Sequence, residues 1–363
     1  MAAIRAAVCR SFGEPPAVET VELRDAGPGE VSVQVAACAI CHTDLALLDG
    51  VWGGELPAVY GHEVAGVVEE AGAGVVGVAP RDRVVVTLVR FCGSCRLCLR
   101  GLPALCEDKW ELPISRSSPL TTGDGAPVDQ GLRTGGFAER VLVHRSQVVP
   151  IPDDVSFEAA APLGCGVVTG AGAALRTSEV EPGDTVAVIG TGGVGLNAVQ
   201  GALLAGARIV LAVDLVAEKL ETARAFGATH AVDGGSEDVA AAVSELTGGR
   251  GLDHVVVTAG SAPAVEQALG LVADGGAVVL AGMPGGATAS IDPEELAHRG
   301  LRLLGSKVGS TRPHLDVPAF VALYRAGRLK LDELVSARFP LDRIDEALTV
   351  ARRPDTLRVV VVP

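Results

Sequence analysis

Between Thr185 and Gly305 six short apolar runs alternate with helix-length segments: Thr185 to Ile189, Ile209 to Val213, His230 to Val232, His254 to Thr258, Ala277 to Ala281 and Leu301 to Leu304. This rhythm is the mark of βαβ units, parallel strands covered by helices on both faces, and six of them complete a doubly wound sheet. The first run opens into Gly190-Thr191-Gly192-Gly193-Val194-Gly195 and then a helical pattern. A lone G-x-G-x-x-G carries little weight, but one that follows a strand and opens a helix has the context its mechanism requires. Gly190 allows the tight turn, Gly192 lets a pyrophosphate approach the backbone, and Gly195 allows close helix–strand packing. The helix beginning at Gly193 and Val194 offers free N–H groups and a positive dipole to the phosphates. Asp214 stands nineteen residues after Gly195, at the end of the next strand. A carboxylate there accepts hydrogen bonds from ribose hydroxyls and repels a 2′-phosphate, which points to NAD rather than NADP; the competing reading is a strand-end Asp that caps the next helix. The uncharged stretch from Thr185 to Ala207 is long enough to raise the question of a membrane span. Its six glycines, with Asn197 and Gln200, fit a strand, a turn and a helix instead.

A chain of 363 residues is expected to form two domains. With 44 acidic against 30 basic side chains the net charge is −14, which excludes a phosphate-backbone binder. Only 3% of residues are aromatic, so the core must be built from Val, Ala and Leu. Met1 to Phe12 carries Arg5 and Arg10 and lacks the apolar core of a signal peptide. The expectation is a cytoplasmic protein, not membrane-bound, with reduced cysteines. Met1 to about Ala161 reads as β-rich and partly barrel-like, with strands at Val31 to Ala37, Glu63 to Glu70 and Asp82 to Leu88. Leu112 to Gly136 reads as one long irregular loop. Helical patterns at Val317 to Ala326 and Ile344 to Arg352 and a last strand, Leu357 to Val362, form a tail expected to pack back onto the first domain.

Four of the eight cysteines, Cys92, Cys95, Cys98 and Cys106, lie within fifteen residues in the spacing Cys-x-x-Cys-x-x-Cys-x7-Cys. Two residues between ligands let a tight loop aim successive thiolates at one point, and four thiolates close the tetrahedral shell of a structural zinc. Iron–sulfur ligation competes, because it uses similar spacings. Arg90, Arg96, Arg100 and Lys109 mark the segment as a polar loop rather than a core of buried thiols. A second set is more scattered: Cys41, His62 and, far downstream, Cys165. Two cysteines and a histidine would leave zinc an open fourth position, the arrangement of a catalytic site; taken alone, a cysteine is usually a small core side chain and a histidine more often a hydrogen-bonded one.

Together, Cys41, the run Gly61-His62-Glu63 followed by Gly66, Gly72 and Val75, the four-cysteine loop, Cys165 and the glycine fingerprint resemble the zinc-dependent alcohol dehydrogenases of the medium-chain dehydrogenase/reductase family, in the same order and over essentially the whole chain. The resemblance implies an α/β protein with a GroES-like β-rich catalytic domain, residues 1–165 and 304–363, and a Rossmann NAD-binding domain with a doubly wound parallel six-stranded sheet, residues 166–303. It implies an active site in the cleft between domains and a homodimer or homotetramer.

By the same resemblance, Cys41, His62 and Cys165 hold a catalytic zinc with Glu63 beside it, and the four-cysteine loop holds a structural one, giving two zinc ions per chain. Asp44 orients His62, and Thr43 hydrogen-bonds the substrate oxygen and passes its proton on. His42 and Arg358 lie near the cofactor pyrophosphate, Thr169 and Val194 against the nicotinamide, and Lys219 near the adenosine ribose. The implied reaction moves a hydride between a primary or secondary alcohol (an aldehyde or ketone in reverse) and NAD, the metal lowering the pKa of the alcohol. Two alternatives stand beside it: an NAD-dependent dehydrogenase of thiol–formaldehyde adducts, and a non-catalytic redox-sensing or structural protein on the same fold. Two positions depart from the pattern of some members. Ala46 stands where a histidine ends their proton relay, and Leu88 replaces a bulky aromatic of the pocket while Trp52 occupies another wall.

Overall fold

The computed structural model describes residues 1–112 and 117–363. The chain divides into two compact units, Met1–Cys165 with Arg312–Pro363, and Gly166–Thr311. The return to the first unit comes at Arg312 and not at residue 304, for a physical reason. Strand Arg302–Gly305 pairs in parallel with Val272–Leu280, and the turn after it stays in the second unit, with Gly309 pressed against the carbonyl of Val168.

In the second unit six parallel strands stand in the order His230–Asp233, Ile209–Asp214, Thr185–Ile189, Leu252–Val257, Val272–Leu280, Arg302–Gly305. Their Val/Leu/Ala faces are buried on both sides, as a sheet flanked by helices requires. The order reverses between Thr185–Ile189 and Leu252–Val257, the point where doubly wound sheets bind ligands. The uncharged stretch resolves into strand Thr185–Ile189 and helix Gly193–Ala205. No single helix among the described residues is long and apolar enough to cross a membrane.

The first unit has two β-layers. Ala2–Cys9, Ala17–Leu23, Leu120–Thr121, Pro127–Gln130 and Ala58–Val59 close a small barrel. A second sheet centres on Glu30–Ala39, flanked by Glu63–Ala71 and by the C-terminal strand Arg358–Val362. The irregular loop expected over Leu112 to Gly136 is a correction. Its residues 113–116 lie outside the described residues, but Leu120–Thr121 and Pro127–Gln130 form an antiparallel pair turned at Gly125, whose φ is +85°. Strands of two and four residues are too short to show a period of two. The tail helices run Pro313–Arg325, with proline at the first position where no N–H is needed, and Ile344–Ala351.

The central strand begins at Glu30, whose carboxylate is buried and accepts from Arg24 at 2.5 and 2.7 Å and from the N–H of Gly27 at 2.7 Å. Burial by itself would raise this carboxyl, but Arg24 and the Gly27 N–H outweigh it and hold the group below its ordinary value. The folded state therefore binds this proton less readily than the unfolded chain, whose glutamate pKa is about 4.3. The pair's contribution to stability is complete above that pH and is lost as pH falls through the lower folded value. Glu30→Gln is expected to be destabilised at neutral pH by roughly 1–3 kcal/mol, since the charge-assisted bonds from Arg24 are lost while Arg24, a third exposed, keeps part of its hydration. The gap from wild type should shrink below about pH 4; a constant gap in denaturant titrations across pH would refute this reading.

Candidate metal and dinucleotide sites

Strand Glu30–Ala39 leads directly to Cys41, which caps the short helix His42–Leu48. The opposing strand begins at Glu63, so its register brings Glu63 beside Ala39 and sets His62 just ahead of the pair. Gly164 precedes Cys165; a side chain there would lie 2.7 Å from the carbonyl of Val86 and 3.2 Å from Cα of Glu63. Only glycine lets the chain bring Cys165 this close to His62 and Glu63. The result is a cluster in which Cys41, His62, Glu63 and Cys165, all buried, offer ligand atoms within 4.8 Å of one another.

Asp44, fully buried in the first turn of the short helix, organises this cluster. One oxygen accepts from the N–H of Cys41 at 3.0 Å; the other accepts from the N–H of Gly61 at 3.0 Å and meets Nδ1 of His62 at 2.8 Å. Gly61 presents its N–H at φ +94°, a conformation that favours glycine. With Nδ1 engaged, His62 turns Nε2 into the cluster, where this buried atom has no hydrogen-bond partner. A buried nitrogen without a partner, aimed at two cysteine sulfurs, fits a thiophilic divalent cation.

Proton distribution among these groups fits as well. The hydrogen bond with Cys165 lowers the Cys41 thiol well below its ordinary value, with His62 adding to the effect, and the same bond raises Cys165. Burial disfavours the His62 imidazolium, yet Asp44 and Cys41 override it and hold His62 above its usual value. Burial pushes Glu63 up to about 8, against the pull of Arg358. Protons shared among crowded sulfur and nitrogen donors are those a metal displaces on binding.

The four-cysteine loop makes a second, separate cluster. Cys92 and Cys98 sulfurs lie 4.0 Å apart, and Cys95 and Cys106 sulfurs 3.9 Å. All four thiols are free. A tetrahedral shell with bonds of about 2.3 Å has edges of about 3.8 Å. The N–H groups of Ser94 and Cys95 point at the Cys92 sulfur at 3.4 and 3.2 Å, and backbone bonds at Cys98 and Glu107 bring the Cys95 thiol down to about 6.

In the second unit Gly190, at φ +89°, turns the chain after the strand. A Cβ on Gly195 would sit 1.9 Å from the Gly190 carbonyl, whereas one on Gly192 would meet open space. The fingerprint therefore has no room for a side chain at its outer glycines and open space at its middle one, as a backbone approached by phosphate requires. Asp214 closes the loop: one oxygen accepts from the N–H and hydroxyl of Thr191 at 2.6 and 3.0 Å, the other from the N–H groups of Leu215 and Val216. Thr169 is buried on helix Gly166–Gly172, which meets helix Gly193–Ala205 so closely that a Cβ on Gly170 would lie 2.1 Å from the carbonyl of Val194. Lys219 is half-buried near the start of helix Ala217–Ala225.

The zinc-binding dehydrogenase family model matches residues 193–325, and the alcohol dehydrogenase GroES-like domain model matches residues 27–153. An NDMA-dependent alcohol dehydrogenase of Amycolatopsis methanolica is 36% identical over 99% of this chain and 98% of its own length. The chain belongs to the zinc-dependent alcohol dehydrogenases of the medium-chain dehydrogenase/reductase family. Solved structures agree. An alcohol dehydrogenase zinc-binding domain protein from Burkholderia ambifaria superposes with a TM-score of 0.95 at 34% identity, covering 100% of this chain and 99% of that one. A benzyl alcohol dehydrogenase from Acinetobacter calcoaceticus does so at 0.92 and 32%, with the same coverage. As a member of this family the chain is a zinc-dependent alcohol oxidoreductase.

Within this family member, Thr43 is half-buried and His42 exposed at the start of the short helix, one turn from Ala46. Leu88 is half-buried and Trp52 is 42% exposed. Arg358 takes a position that the sequence did not reveal. It is 2% exposed, and its Nε and an Nη donate to the two oxygens of Glu63 at 3.1 and 3.3 Å. The two residues are 295 positions apart and meet because strand Arg358–Val362 and strand Glu63–Ala71 both pair with Glu30–Ala39. Spacing carries no signal for such a pair. Asp44→Ala would leave two N–H groups and the His62 ring without their buried acceptor. It is expected to lower metal affinity about 10–100-fold and to lower Tm. Unchanged zinc retention against a chelator would contradict the role of Asp44.

Proposed function

We propose that the chain is an NAD-dependent dehydrogenase that oxidises primary or secondary alcohols and, in reverse, reduces aldehydes or ketones. The observation that carries this reading is the buried cluster of Cys41, His62, Glu63 and Cys165, with the unpartnered Nε2 of His62 directed into it. In this reading Cys41, His62 and Cys165 hold a catalytic zinc, and Cys92, Cys95, Cys98 and Cys106 a structural one. A zinc ion at the first cluster supplies a Lewis acid that lowers an alcohol's pKa, and the nicotinamide supplies the hydride acceptor.

The chain's own residues do the rest. Asp44 fixes the His62 ring by accepting from Nδ1–H, which leaves the lone pair of Nε2 for the metal. Thr43 Oγ1, at the start of the short helix, accepts the hydrogen bond of the alcohol and, as it takes that proton, passes its own on. Beyond it Ala46 offers no acceptor, and the proton leaves either through the exposed His42 imidazole or through water and the ribose hydroxyls that a bound cofactor would supply. Arg358 donates to both oxygens of Glu63, so whatever negative charge Glu63 carries is met by the guanidinium. In the second unit the bare backbone at Gly192 and the N–H groups of Gly193, Val194 and Gly195 receive the pyrophosphate, Thr169 and Val194 face the nicotinamide, and Lys219 lies near the adenosine ribose. Asp214, fixed by four donors, presents negative charge where a 2′-phosphate would sit, which favours NAD. The protein works in the cytoplasm as a homodimer or homotetramer.

The Amycolatopsis relative named for NDMA dependence favours a second assay condition, in which NDMA is supplied. Steady-state oxidation of a panel of aliphatic and aryl alcohols, with NAD, NADP or NDMA and without added thiol, tests the proposal. Turnover with NAD at kcat/KM at least about tenfold above NADP is expected, and Asp214→Gly should narrow that ratio by about 1.4 kcal/mol or more. A preference for NADP would overturn the cofactor assignment, and a strict need for thiol the substrate class. Thr43→Ala is expected to lower kcat by about 10²–10⁴ while zinc content stays at the wild-type level; undiminished kcat would remove Thr43 from the proton path.

A further inference from the structure

The second unit holds a strained turn that neither the metal clusters nor the glycine loop explains. Val308, Gly309 and Ser310 follow one another at φ +50°, +65° and +51°. A β-branched residue there is an outlier, and three successive left-handed residues persist only where the surroundings impose them. Two contacts do so. A Cβ on Gly309 would lie 2.0 Å from the carbonyl of Val168 and 2.8 Å from that of Thr169, so the turn is pressed against helix Gly166–Gly172 at the residue read above as facing the nicotinamide. On its other side Thr177 Oγ1 reaches Ser306 Oγ at 2.8 Å and Ser310 Oγ at 2.9 Å. A hydroxyl with one proton and two lone pairs can donate to one and accept from the other, which ties together the two ends of the turn.

Thr177 points this way because the chain from Ala173 to Ser178 is wound as a π-helix, closed by Glu179 in the left-handed region. Such wide turns cost stability and occur mostly at functional sites. The next residue, Ser178, is anchored separately, its hydroxyl 2.7 Å from Nδ1 of His254, whose Nε2 is 3.0 Å from Asp184. One wide turn thus fastens the strained turn through Thr177 and the sheet through Ser178.

We propose that Thr177 is a positioning residue for the nicotinamide half of the cofactor: its hydroxyl holds the turn 308–310 against Thr169 and so sets the nicotinamide-facing wall. The inference rests on the reading of Thr169 and Val194 as that wall. ADP-ribose shares the phosphates and adenosine of NADH and lacks the nicotinamide, so the two ligands separate the halves of the site. With the full-length zinc-loaded protein, Thr177→Val is expected to weaken NADH binding about tenfold and to leave ADP-ribose affinity within about twofold. Thr177→Ser, which keeps the hydroxyl, should bind both as wild type does, and Ser310→Ala, which opens the clamp from the other side, should reproduce the split should Thr177→Val fold poorly. Equal weakening of both ligands, or of neither, would overturn the proposal. A wild-type chain that binds ADP-ribose as tightly as NADH would overturn the nicotinamide wall itself, and one that binds neither would overturn the dinucleotide reading with it.

Discussion

One buried carboxylate holds the candidate metal cluster of this protein together. Asp44 accepts from the backbone at Cys41 and Gly61 and from the His62 ring. A carboxylate without these donors would be expensive to bury, and each donor without the carboxylate would be an unsatisfied polar group. The interaction therefore fixes two separate chain segments to one point, and it chooses which nitrogen of His62 faces the sulfurs. Cys41 and His62 are positioned together because they share one acceptor.

The rest of the first unit is built to deliver segments to that acceptor. The central strand Glu30–Ala39 carries the chain to Cys41, the strand beginning at Glu63 continues from His62, and the C-terminal strand adds Arg358 opposite Glu63. Gly164, with no room for a side chain, brings Cys165 in from the other side. A cluster drawn from three separate parts of the sequence is thereby fully buried. The four-cysteine loop follows a different physical logic: its ligands are local, and its geometry comes from tight turns and N–H groups aimed at sulfur.

How much of this could be read in the sequence follows the distance over which each feature is encoded. Strand Thr185–Ile189 and the glycine turn after it were legible because period, turn and helix lie within a few residues of one another, and the four-cysteine loop for the same reason. The second candidate metal cluster was only weakly legible without the resemblance, since nothing local connects Cys41 with Cys165. The pair Arg358–Glu63 was not legible: it depends on which strands neighbour Glu30–Ala39, a property of the whole sheet. The two-residue strand Leu120–Thr121 is hidden by its shortness, and the second unit runs on to Thr311 because the turn after Gly305 keeps its contacts with Val168. The clamp of Thr177 on Ser306 and Ser310 is likewise tertiary; a lone Thr in a helical pattern gives no sign of it.

Two unlike cysteine clusters, one closed by four thiolates and one centred on His62, carry the central claim that the chain holds two metal ions with different tasks. The most direct measurement is zinc per chain in the purified wild type and in Cys165→Ser, with far-ultraviolet circular dichroism on both. Two zinc ions are expected in the wild type, and one in a folded, inactive Cys165→Ser protein. A single zinc in the wild type, or a Cys165→Ser chain that keeps both ions and its activity, would contradict the division of the cysteines between an open and a closed site.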